Sequence, residues 1–388
     1  MPRLARGAAL GVLITALAGC TVGPVKPFSA APDQTAMNAD EKSVWEASKE
    51  QDDAFLNMGA DYEDPALQAY VQGIVDRLYP EFKGTIKVHL LKSPVPNAFM
   101  MSNGSCYVQL GILPLLHDEA QLAIVLGHEG IHFVDRHGYQ EHGYAINSAV
   151  VGVLLKKIIP IIPVAMAYSS IAGYSVQMES QADHEGYARF LKAGYAAADT
   201  PEPFEALDAY STALDIKESY FYADHPKLQD RIKYFRAQAA KAPSRGTTSQ
   251  ADYLAQTLNA REWVLAELLS RQDYKSLVFF LDDKSRTGEY PAWAPYYLAR
   301  AYELRAGKGD DALAEHAYRD VIAKAPDYAP AYAALGRELM RRGGSDAEAA
   351  GLFETYLKLM PDAPDRSYIQ SYITRLTAPA NQTSNTGK

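Results

Sequence analysis

Leu126-Gly127-His128-Glu129-Gly130-Ile131-His132-Phe133-Val134-Asp135-Arg136-His137 is the stretch that decides how this 388-residue chain is read. The run before it, Glu119-Ala120-Gln121-Leu122-Ala123-Ile124-Val125, is a good helix former, so a helix is predicted through the whole stretch. On a helix, His128 and His132 lie one turn apart and project from one face. Two imidazoles at that spacing can share one Zn2+ ion, and Glu129 beside them can handle a proton. An exposed helix that happens to carry two histidines is the plainer alternative.

A hydrolytic zinc site needs a third protein ligand and an open position for water. Gly138 stands where a metzincin has its third histidine, six residues after His132, so that class is excluded. Helix geometry swings His137 off the shared face and puts Glu141 more than two turns away. Glu179 is the better candidate. It begins a predicted helix running to Ala193, and Asp183 follows one turn later on the same face. Glu179 could bind the metal while Asp183 orients a ligand histidine. A solvated acidic face is the alternative for such a pair.

His-Glu-x-x-His-x-x-x-Arg-His followed by Glu-x-x-Ala-Asp resembles the HtpX/BepA class of zinc metallopeptidases, a gluzincin group. Asp64-Pro65, Pro96-Asn97-Ala98-Phe99, Leu110-Gly111-Ile112-Leu113, Ala193-Gly194-Tyr195 and Asp224-His225-Pro226 with Arg231 match in family order. The resemblance implies one Zn2+ per chain on His128, His132 and Glu179, with Glu129 as general base. It also implies that His225 lies near the metal, either aiding the transition state or occupying the open position in a latent form. Asp183 and Arg231 are expected behind the ligands. Gly130 and Ile131 depart from the pattern, in which the first is bulky and the second small.

Around this centre the chain is predicted to be α+β and mostly helical. Residues 39–57 and 66–78 have helical periodicity, and Asp64-Pro65 reads as a helix start. Residues 85–91 alternate as a strand, and 97–101 with 106–110 read as a hairpin. Asn103-Gly104 supplies its turn because both positions tolerate positive φ. Pro94 and Pro96 suit an edge strand, where an extended peptide could add. Residues 145–176 are apolar but are interrupted by Lys156, Lys157, Pro160 and Pro163. No stretch there reaches the ~20 residues of a spanning helix, so a core helix pair or lid is expected, with a membrane-surface segment as the alternative.

At the amino terminus, Arg3 and Arg6 precede an apolar run ending in Leu17-Ala18-Gly19-Cys20. Residues 1–19 read as a signal peptide. The ending resembles a bacterial lipobox, which implies lipidation of Cys20 and, in a Gram-negative cell, the periplasmic face of the outer membrane. Residues 20–38 read as a flexible tether. Cys106 is the second of two cysteines, so a lipidated Cys20 leaves no intrachain disulfide. The metalloprotease domain is assigned to 39–240 and a linker to 241–251. Helical tetratricopeptide-like (TPR-like) repeats follow over 252–376, then a disordered tail over 377–388. The repeat rests on Tyr297/Tyr332, Ala301/Gly336, Ala317/Gly351 and Pro326/Pro361.

The chain carries a net charge of −9 and no long basic run, which argues against nucleic acid as the main partner. The protease-plus-repeat arrangement resembles BepA-like envelope proteases. That implies quality control of unfolded or misassembled outer-membrane proteins, with the repeats docking substrate or assembly machinery. A lipid-anchored chaperone or assembly scaffold with a latent site is the rival expectation.

Overall fold

The computed structural model describes residues 25–141, 174–216, 228–242 and 245–378. Cys20, most of the apolar 145–176 segment, His225 and most of the tail therefore lie outside the described residues. Two helices lead, α1 (Ala39–Asn57) and α2 (Pro65–Leu78). The Asp64 carboxylate caps α2, accepting from Ala66 N and Leu67 N at 3.1 and 3.0 Å. A sheet follows, made of β1 (Lys87–Leu91), β2 (Ala98–Met100) and β3 (Ser105–Gln109) in the order β1-β3-β2. β1 runs parallel to β3, Lys87 opposite Ser105, and β2 runs antiparallel to it, Ala98 opposite Val108.

The β2–β3 hairpin forms, but its turn differs from the expected one. Gly104 has φ +90°, whereas Asn103 is not among the described residues with positive φ. Gly104 N donates to Met101 O, and Asn103 works instead through its side chain, accepting from Ser105 N at 3.1 Å. This is the glycine-bulge route to a hairpin rather than a two-residue turn.

The two sheet edges are unlike. On β1, Gln72 accepts from Val88 N at 2.9 Å and donates to Ile86 O at 3.0 Å, and Gln68 donates to Val88 O. Glutamines of α2 thus occupy the backbone groups that an edge strand would otherwise present. β2 is the other edge, and it lies against the central helix.

That helix is α3 (Glu119–Val134), and every one of its residues is buried. Its start is fixed by Asp118, which accepts from Gln121 N at 2.9 Å. Arg136, at φ +59°, turns the chain into the short α4 (His137–Glu141). Among the described residues, three further helices follow in this part: α5 (Val176–Lys192), α6 (Glu202–Leu214) and α7 (Leu228–Ala239).

The segments expected to be tether and linker are both docked where they are described. Phe28 N donates to Val134 O at 2.8 Å, and its ring lies 5.4 Å from Phe133. Thr247 exchanges backbone bonds with Gly194 and Ala196, and Thr248 O accepts from Ala120 N at 3.2 Å. The core then continues into α8 (Gln250–Ser270) and α9 (Tyr274–Leu281): one apolar cluster runs from Leu67 to Ala301. Tyr253, fully buried, donates to Leu113 O at 2.8 Å.

Antiparallel helices α10 (Pro295–Arg305) with α11 (Asp310–Lys324), and α12 (Ala329–Arg342) with α13 (Asp346–Leu359), stack beyond it and end on α14 (Arg366–Thr377). Ala301 and Gly336 are both close-packed positions: a Cβ on Gly336 would lie 2.8 Å from the Phe353 ring. Ala317 and Gly351 are not equivalent, since Ala317 is buried and Gly351 faces open space. Among the described residues, no helix is long and apolar enough to cross a membrane.

Candidate metal centre

Two glycines bring the site together. A Cβ on Gly186 of α5 would lie 2.6 Å from Gly127 O and 2.9 Å from His128 N. Only a bare backbone at Gly186 permits that approach, so α5 lies directly on the α3 turn that carries His128. Sequence reading passed over Gly186. Its only signal is a glycine inside a helical pattern, which commonly marks close packing.

With the helices so placed, His128 Nε2 and His132 Nε2 are 3.1 Å apart. Glu179 Oε2 lies 3.5 Å from His128 Nε2, and Glu179 Oε1 lies 3.4 Å from His132 Nε2. All three side chains are buried, and their ligand atoms fall within 4.8 Å of one another. Ligand atoms on a tetrahedron with metal bonds of about 2.0–2.1 Å would be roughly 3.3–3.4 Å apart. The donor set thus fits one tetrahedrally bound ion of the zinc kind.

Behind the ligands, His128 Nδ1 donates to Asp183 Oδ1 at 2.9 Å. Arg231 Nε donates to both Asp183 oxygens at 3.1 Å, and its Nη2 to Oδ1 at 2.8 Å. Burial opposes charge on Asp183, yet the Arg231 guanidinium and the His128 hydrogen bond bring its carboxyl down to about 2. Burial, aided by Arg231, pushes His128 down to about 4. A neutral imidazole is the form that binds a metal.

His137 stays out of the ligand cluster, as helix geometry implied, but the chain breaks at Arg136 and α4 packs it behind His132. It is fully buried, with Nδ1 3.0 Å from His132 Nδ1. Sequence reading also missed Tyr174, which stacks on His132 at 3.8 Å between ring centroids. A lone tyrosine with no fixed spacing to the motif gives no signal.

Gly130 is explained as well. A Cβ there would lie 2.3 Å from the Tyr79 ring, whose hydroxyl donates to Gly127 O. Tyr79 fills the space that the usual bulky residue would take. Glu129 is buried and lines a cleft with His128, Arg231, Phe204, Leu207, Leu228 and the segment Pro96-Asn97-Ala98 that leads into β2.

Residues 61–239 match the model of peptidase family M48. That M48 match spans the sheet, α3, α5 and α7. The mitochondrial metalloendopeptidase OMA1 of Schizosaccharomyces pombe is 26% identical over 167 residues, 42% of this chain and 49% of the relative. The putative beta-barrel assembly-enhancing protease of Vibrio cholerae is 28% identical over 208 residues, 49% of this chain and 43% of the relative. The human mitochondrial OMA1 metalloendopeptidase is 27% identical over 167 residues, 38% and 31% of the two chains. The alignments thus cover about half or less of each of these relatives. The M48 match and the relatives' names support a metalloprotease, and the His-His-Glu cluster could bind its metal.

Proposed function

We propose that this chain is a zinc-dependent endopeptidase of the bacterial envelope that cleaves unfolded or misassembled proteins. The observation that carries this reading is the convergence of His128, His132 and Glu179 beside the Glu129 carboxylate. Zinc bound there would supply the Lewis acid that polarises a scissile carbonyl and acidifies the attacking water. Glu129 accepts the water's proton and returns it to the departing amine. Asp183, itself held by Arg231, accepts from His128 Nδ1 and so favours the tautomer that leaves Nε2 bare. The β2 edge beside the cleft suits an extended peptide, which would add as a strand. That geometry favours protein substrates over compact small molecules. His225 is assigned a role near the metal on sequence resemblance alone.

An outer-membrane quality-control role, at the periplasmic face and anchored through Cys20, is supported by the lipobox-like ending and by the likeness to the Vibrio cholerae protein. Docking of substrate or assembly partners on TPR-like repeats is supported by the recurrence of Tyr297, Ala301 and Pro326 at Tyr332, Gly336 and Pro361, and by stacked helix pairs. The test is cleavage of an unfolded protein by the purified chain beside Glu129→Gln. The reading expects the parent to cleave and the variant to fall at least about 100-fold, the scale of a lost general base. Equal turnover by both would overturn it.

A further inference from the structure

The two histidines of the cluster are held by different kinds of partner. His128 rests on a carboxylate, Asp183, itself clamped by Arg231. His132 rests on another imidazole: its Nδ1 lies 3.0 Å from His137 Nδ1, with the rings nearly perpendicular at 69°. A histidine that binds through Nε2 carries its proton on Nδ1, so His132 must donate and His137 Nδ1 must accept. A neutral His137 then carries its own proton on Nε2, which lies 4.0 Å from Asp135 Oδ2. Asp135 is held in turn by Gln181 Nε2 at 2.6 Å. The 4.0 Å gap is too long for a hydrogen bond, so His132 and His137 join α3 to α4, while Asp135 and Gln181 separately tie the end of α3 to α5, the helix that supplies Glu179.

We propose that His137 is the positioning residue of His132, fixing its Nδ1–H tautomer and ring angle by accepting its hydrogen bond. This rests on the reading that His128, His132 and Glu179 hold zinc. The acceptor is the essential property, because it selects which nitrogen of His132 is bare. The amide oxygen of an asparagine can sit near the position of a histidine Nδ1, so Asn should replace His137 where an apolar residue of similar size does not.

The test is zinc affinity of the full chain, measured by chelator competition, for the parent, His137→Leu and His137→Asn. Thermal unfolding of each metal-free protein runs alongside. His137→Leu is expected to bind zinc about 10- to 100-fold more weakly, the usual effect of removing the partner of a ligand histidine. His137→Asn is expected to stay within a few-fold of the parent, with metal-free stability no higher than that of His137→Leu. Parent-like affinity in His137→Leu, or equal weakening in both variants, would overturn the inference while leaving the zinc site standing. A parent chain that binds no zinc would overturn both.

Discussion

At the scale of single residues, side chains outside the His128, His132 and Glu179 cluster pack and charge-balance its surroundings. Arg231 neutralises Asp183 in a buried setting, so Arg231→Met should leave a carboxylate without its cation. The expected loss is about 3–5 kcal/mol, as for a broken buried pair, read by urea unfolding. Adding Asp183→Asn should recover part of it, because the stranded charge is gone. Gly130→Ala is the second case. Helix propensity alone favours Ala by about 1 kcal/mol. The Tyr79 ring stands 2.3 Å from the new Cβ, and overpacking of that kind costs about 1–3 kcal/mol. A net fall in stability is therefore expected, and a rise would show that Tyr79 can move aside. The departure at position 130 was visible in the sequence. Its cause was not, because Tyr79 lies on another element and only the fold brings it there.

At the scale of elements, the helix pair α3 and α5 was legible and its closeness was not. Periodicity and the Asp64, Asp118 and Ser175 caps lie within the sequence itself, so helix extents are set locally. The contact of Gly127 with Gly186 is tertiary, and nothing local distinguishes Gly186 from a helix-weakening glycine. Gly186→Ala is expected to push α5 off α3 and lower zinc affinity along with thermal stability. Unchanged affinity would mean that the ligand geometry does not depend on this contact. His137 teaches a related lesson. A helix wheel keeps it out of the ligand set but does not show its contact with His132, which depends on the left-handed break at Arg136 between α3 and α4.

At the scale of the whole molecule, composition suggested a boundary near residue 245, and packing ignores it. Pro243, Ser244 and Gly246 read as linker residues, yet Thr247 and Thr248 bond into the peptidase part and the core runs on through Val264, Leu265 and Phe280. Polar, turn-rich sequence marks where the chain bends, not whether the elements on either side share a core. A chain ending at Ala242 is therefore expected to expose a large apolar face and lose cooperative unfolding in denaturant. A soluble, cooperatively folding fragment would show instead that the peptidase core stands alone. These scales meet at the proposed centre, the His128, His132 and Glu179 cluster that could hold a metal ion. The measurement that tests it most directly is cleavage of an unfolded protein by the full chain after removal of metal with a chelator, then after return of one equivalent of zinc. The account predicts that cleavage is lost and then restored, whereas undiminished cleavage by the metal-free chain would contradict it.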